Sequence, residues 1–168
     1  MVIPTFHDLF LYELRDLYYA EHRLAEALPR MAKAATNKQL SKAFTQHAKE
    51  TEKHAERLEQ IFELLDERAK AEKCEAIDGL LEEGKEALQA DMPDSIRDAA
   101  LIGSAQRVEH YEIAAYGTAR SFAELMGHKK VAKMLQKTLD EEGKANEKLT
   151  SLALRVINKQ AYRDASGM

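Results

Sequence analysis

The stretch Glu13-Leu14-Arg15-Asp16-Leu17-Tyr18-Tyr19-Ala20-Glu21-His22-Arg23-Leu24-Ala25-Glu26-Ala27-Leu28 decides the fold. Steps of three and four pick out Leu14, Leu17, Glu21, Leu24 and Leu28, and extend outward to Phe10 and Met31. That rhythm is the inward stripe of an α-helix packed in a left-handed bundle. Every member is apolar except the central one, Glu21. A carboxylate at the middle of a packed seam is costly unless something compensates it.

Three other segments repeat the pattern. One runs Ile102, Ala105, Glu109, Glu112, Tyr116, Ala119, Ala123, Met126. Another runs Val131, Leu135, Thr138, Glu142, Ala145, Leu149, Leu152, Val156. The fourth runs Leu40, Phe44, His47, Thr51, His54, Leu58, Ile61, Leu65, with Glu50 one step to the side. Each stripe is apolar at both ends and acidic or histidine-bearing at its centre.

Seven glycines and three prolines in 168 residues leave few breaks, so helix is expected almost throughout. Helix A is expected over about 6–35, opened by a Thr5–Asp8 capping box and kinked by Pro29. Thr36-Asn37-Lys38-Gln39 reads as a second capping box opening helix B, about 38–68. A connection over about 69–93 holds a short helix of its own near 75–90. Asp94 or Ser95 caps helix C, about 95–126, which stops at Gly127. Helix D fills about 128–159, and the Ala-Ser-Gly-Met tail frays. Tight A–B and C–D links make two antiparallel hairpins. The long B–C connection can travel the length of a bundle whose helices span roughly 45 Å at about 1.5 Å per residue. This is an all-α, ferritin-like four-helix bundle rather than an up-down-up-down one, with residues 1–168 forming one domain.

Composition narrows the function classes. A net charge of -4 with no basic block argues against a nucleic-acid partner. No secretory signal opens the chain, and no apolar run approaches the roughly 18 residues of a membrane span, so a cytoplasmic protein is expected. Cys74 stands alone and reads as incidental.

The glutamates share one level. Glu21 lies about 16 residues before the A–B turn and Glu50 lies 13 after it; Glu109 lies 18 before Gly127 and Glu142 lies 15 after. Antiparallel hairpins with those offsets bring all four to the bundle's mid-height. None of the stripes contains lysine or arginine. Packed carboxylates repel and drive one another's pKa upward. Hard divalent cations, with imidazole as an additional ligand, would supply the missing charge. Two such ions nearly balance five carboxylates. The expected metal ligands are therefore Glu21, Glu50, His54, Glu109, Glu112 and Glu142, holding two divalent ions. A glutamate on a helix ordinarily faces solvent, and Glu50 and Glu112 sit nearest the edge. His47 is an alternative ligand or orienting group. His22 and His110 point about 100° away and are expected to be exposed; His7 and His128 look incidental. Tyr18 and Tyr116 lie near the same level, where packing or a hydrogen bond to a ligand carboxylate is their role.

The halves echo weakly. Ala20-Glu21-His22 returns as Val108-Glu109-His110, 88 positions later, and Glu50 and Glu142 lie 92 apart. The strings Asp98-Ala99-Ala100-Leu101-Ile102, Val108-Glu109-His110-Tyr111-Glu112-Ile113-Ala114 and Ala35-Thr36-Asn37 leading to Leu40 resemble the YciF-type bacterial stress-protein family of the ferritin-like superfamily. The resemblance covers almost the whole chain. It implies homodimers, a rubrerythrin-like carboxylate site and a link to stress responses. The di-iron template of such bundles asks for one glutamate from each of two helices and Glu-x-x-His from each of the others. Glu21 and Glu109 match the single glutamates, and Glu50 and Glu142 start the motif positions. The sequence departs twice: Lys53 follows Glu50 by three, with His54 one later, and Ala145 follows Glu142 by three. Glu109-x-x-Glu112 adds an acid instead, as in rubrerythrins. Two functions follow as expectations. One is a di-iron or di-manganese protein of ferroxidase or peroxidase type, with oxygen or peroxide as substrate. The other is a structural or partner-binding stress protein whose site only stabilises.

Overall fold

Side chains at the helix ends set where each helix starts and stops. The computed structural model describes residues 2–166. Helix α1 spans Phe6–Ala34, continuing through Pro29. Thr5 Oγ1 accepts from the Asp8 amide and the Asp8 carboxylate accepts from the Thr5 amide, each at 3.1 Å, which is the expected capping box. Helix α2 spans Lys38–Leu64. Its cap is Asn37 alone, whose side chain accepts from the amides of Gln39 and Leu40. The expected box from Thr36 does not form, because Thr36 is turned toward Asp98 on another helix.

Helix α2 ends four residues earlier than expected. Asp66 adopts a left-handed backbone at φ 55°, and its amide and that of Glu67 return to the carbonyls of Glu63 and Phe62. Gly127 closes helix α4 (Asp94–Leu125) with the same motif at φ 80°. Glycine announces such a stop in sequence; aspartate does so far more weakly. Helix α3 spans Glu75–Gln89, inside the long connection as expected. Neither Asp94 nor Ser95 caps α4. Pro93 occupies the cap position without a side-chain hydrogen bond, and Asp94 is the first helical residue.

Helix α5 spans Lys129–Leu152 and passes through a π-helical segment, Ala153–Ile157, into α6, Asn158–Ser166. A π turn holds more residues than an α turn, so the inward face advances. Ala153, Ile157 and Ala161 are buried, whereas Val156, expected on the stripe, is 39% exposed. Of the tail expected to fray, Ala165 and Ser166 are helical; Gly167 and Met168 lie outside the described residues. No described helix is long and apolar enough to cross a membrane.

Helices α1 and α2 form one hairpin, α4 and α5 the other. The hairpins meet through α1 on α4 and α2 on α5, and α3 lies over α1 and α4. Helices α1 and α4 run antiparallel: Phe6 meets Phe122 edge-on at 4.8 Å near one end, and Asp98 holds Thr36 at the other. Hairpin, long crossover, hairpin is the ferritin-like connection. The apolar core has two parts. One cluster includes Leu24, Leu28, Leu40, Phe44, Leu101 and Ile102. The other includes Phe10, Leu14, Leu58, Ile61, Leu135 and Ala119. An ionisable layer lies between them.

Asp98, only 3% exposed, ties the first hairpin to the second. Its carboxylate accepts from the Thr36 amide at 2.9 Å, the Thr36 hydroxyl at 2.8 Å and the Asn37 amide at 2.8 Å. Replacing it by alanine orphans three donors. Asp98→Ala should lower stability by on the order of 3 kcal/mol, read from the urea midpoint, with Asp98→Asn losing about half as much.

Candidate metal centre

Mid-helix positions on all four long helices converge on one layer. Glu21 comes from α1; His47, Thr51 and His54 from α2; Glu109 and Glu112 from α4; Thr138 and Glu142 from α5. All are buried, with Glu21 and Glu142 fully inaccessible. The stripe positions read from sequence thus do face inward, and the two hairpins do bring them to one height.

Two groups form within this layer. Ligand atoms of His47, Glu109, Glu112 and Glu142 lie within 4.8 Å of one another, as do those of Glu21, His54 and Glu142. Glu142 belongs to both. His54 Nδ1 is 2.8 Å from Glu142 and 3.5 Å from Glu21, and its Nε2 is 3.1 Å from Glu141. His47 Nε2 is 3.2 Å from Glu109 and 3.6 Å from Glu142. Tyr116, also buried, donates its hydroxyl to Glu21. Tyr18 does not take part; it donates to Glu59 at 2.7 Å. His22 and His110 are exposed, as expected.

Glu50 is the expected ligand that neither group includes. It is half-buried, and its carboxylate is 3.7 Å from His47 Nδ1 and accepts from Gln46 at 2.9 Å. A step to the side of the stripe turns it to the edge of the α2–α5 seam. There it lines a slit of about 20 Å³ with Lys148 that reaches His47 and Glu109, room for about one water. His47, weighed in sequence only as an alternative, occupies the inward place instead. Two further residues had not been anticipated. Glu141 and Arg57 pair at 2.8 Å, and Glu141 holds the outer nitrogen of His54. Arg57 also donates to Thr138. Glu141 lies off the seam, so the stripe gives no signal for it.

Electrostatic strain is visible atom by atom. Both oxygens of Glu112 and Glu142, and one each of Glu21 and Glu109, are buried without a hydrogen-bond partner. His54 Nδ1 is close to Glu142 but not aligned as a hydrogen bond. Among the described residues no lysine or arginine is ion-paired with any of the four glutamates. Desolvation, then the neighbouring carboxylates, pushes Glu112 well above the usual carboxylate range. Desolvation also raises Glu21 and Glu142. For His54 desolvation acts downward, but Glu142 and Glu21 outweigh it and push the imidazolium up to about 10. His47 rises well above 6.5 for the same reason, against Glu109. Without a cation, protons on these groups carry the compensation. The cluster of buried glutamate oxygens and imidazole nitrogens can hold a metal ion.

The sign of the pH dependence follows. The folded-state pKa of His54 lies above its unfolded value of 6.5, so its contribution is complete below 6.5 and is lost as pH rises toward about 10. The raised pKa of Glu112 acts in the same direction above 4.5. The melting temperature of chelator-treated protein should therefore fall steadily between pH 6.5 and 10; a flat profile would contradict the buried layer described above.

Comparison with known proteins agrees with this architecture. The family described as "Domain of unknown function (DUF892)" matches residues 5–162. Protein YciF of Escherichia coli (strain K12) is 44% identical over 166 residues, covering 98% of this chain and all of that protein. The crystal structure of the E. coli stress protein YciF superposes with a TM-score of 0.89, over 93% of this chain and 99% of that one. YcfI of Rhodopseudomonas palustris is 45% identical, with a TM-score of 0.86 over 89% of this chain and 95% of that one. On that span and identity, the chain belongs to the DUF892 family, together with the stress protein YciF.

Proposed function

We propose that this protein is a di-metal carboxylate protein of the bacterial stress response, which oxidises bound metal at the expense of oxygen or peroxide. Iron is the favoured metal and manganese the second. The observation that supports this reading is the set of buried glutamate oxygens without partners, drawn from three helices and facing two buried histidines. Glu109, Glu112 and His47 would hold one ion, Glu21 and His54 the other, with Glu142 shared between them. Two divalent ions match these four carboxylates with both imidazoles neutral.

Bound iron would supply one-electron redox chemistry toward an oxidant. The chain's own residues do the rest. Apolar clusters above and below the layer keep bulk water out. Tyr116 fixes one oxygen of Glu21, leaving the other free. Glu141, itself paired with Arg57, orients His54 through Nε2 so that Nδ1 faces Glu142 and Glu21. Glu50 and Lys148 line the slit on the α2–α5 side, a route for water and protons to His47. The homodimeric state implied by the family resemblance and the cytoplasmic location expected from the sequence belong to this proposal. No nucleic-acid role is included.

A second reading is a structural protein whose cluster only stabilises the bundle. Ala145 in place of a histidine on α5 favours it, as does the description of YcfI as a candidate structural protein.

Anaerobic loading with ferrous ion and removal of the excess should leave near two ions per chain, and Glu109→Gln should lose at least one. Aerobic addition of ferrous ion should then be followed by oxidation faster than in buffer alone, a rate that Glu109→Gln abolishes. Metal retention without any such rate moves the conclusion to the structural reading. No retained metal removes the di-metal reading altogether.

A further inference from the structure

A second opening reaches the carboxylate layer from the opposite side to the slit. It is a cleft of about 280 Å³ between α1, α3 and α4, and its inner end is lined by His47 and Glu109. Leu28 and Met31 of α1, Leu81 and Leu88 of α3 and Val108 of α4 give it apolar walls. The cleft is a built gap. Helix α3 is fastened to α1 by Asp78, which accepts from Tyr19 at 2.9 Å and from Arg23 at 3.0 Å. It is fastened to α4 at its N-terminus, where Cys74 meets the Tyr111 hydroxyl at 3.1 Å.

We infer that this cleft is a binding site for a small organic molecule without negative charge, with an oxygen, a hydroxyl or carbonyl, at its leading end. Size sets the first limit. The volume is near the lower edge of the roughly 300–1,000 Å³ typical of ligand pockets, and far beyond what oxygen or peroxide needs. Charge sets the second. At the mouth Arg23 pairs with Asp78 and Glu26, and Lys85 pairs with Glu82 at 2.8 Å. At the inner end the His47 imidazole stands 3.2 Å from Glu109 and 3.6 Å from Glu142, so it is already taken up by carboxylates. Arg30 is the remaining cation on the rim, exposed to solvent, where a charge is worth little. In the metal-free protein an anionic ligand would therefore lose hydration for no free buried cation, while an apolar one loses only unfavourable contact with water. The leading oxygen meets the imidazole and carboxylate at the floor. That the occupant is also a substrate rests on the di-metal reading; that it binds does not.

The test uses N-phenyl-1-naphthylamine fluorescence on the full chain stripped of metal. The chain has no tryptophan, so its own emission interferes little. The expected result is saturable binding of one probe per chain, with 1-octanol displacing it at least tenfold more effectively than octanoate. Ala27→Phe, which puts a ring into the cleft, and Leu81→Gln, which makes one wall polar, should each weaken the probe at least tenfold with helix content unchanged. Ala76→Phe, on the exposed face of α3, should leave it unaltered. Wild-type affinity in both cleft variants overturns the assignment, and so does equal displacement by octanoate. Probe binding in a protein that takes up no metal leaves the cleft standing and removes the di-metal reading; metal uptake without probe binding does the reverse.

Discussion

Burying four carboxylates in one layer of the bundle is the constraint around which the remaining structure is arranged. Each costs several kcal/mol to remove from water, more than the burial of a single leucine at about 1.5–3 kcal/mol returns. A layer of this kind survives only between two well-packed apolar zones. The core is divided accordingly, with one cluster toward the α1–α2 turn and the other toward the α4–α5 turn. The histidines take part in the same balance. His47 and His54 face the glutamates they partly neutralise, and the ion pair of Glu141 with Arg57 supports His54 from outside.

Rigidity at the layer comes from its surroundings rather than from the layer itself. The orphan oxygens of Glu112 have nothing within the chain to aim them except helix position and packing, and those of Glu142 face only the two imidazoles. Asp98 keeps the hairpins in register by clamping the Thr36–Asn37 turn, and α3 braces α1 and α4 across the long connection. Register matters because one helical turn is about 5.4 Å. A slip of that size would carry Glu109, Glu112 and Glu142 out of reach of Glu21, His47 and His54 and expose unpaired carboxylates to apolar neighbours.

The layer is approached differently from its two sides. The slit beside Glu50 and Lys148 is polar and water-sized, whereas the cleft under α3 is apolar and an order of magnitude larger. Both end at His47 and Glu109, so this pair is the accessible edge of the layer, while Glu21 and His54 are enclosed by Tyr116 and the apolar cluster beside it. The two halves of the candidate centre are therefore chemically unlike, even though the helices that carry them echo one another in sequence.

Periodicity alone determined the four long helices, their inward faces and the acidic or histidine-bearing centre of each face. A glutamate among leucines at steps of three and four has only one buried orientation, and that geometry is local to a helix. The long connection likewise indicated the hairpin–crossover–hairpin order. Lateral detail was beyond such reading. Glu50 lies within one residue of the seam, and a modest helix rotation decides between it and His47; neighbouring helices set that rotation. The π segment at Ala153–Ile157 exchanged Val156 for Ile157 on the inward face, a change that no residue there announces. Asp66 ended α2 because the following chain had to turn toward α3, and Asp98 and Glu141 found partners 61 to 87 residues away. Contacts of that separation leave no local trace, so only the packed tertiary structure could decide them.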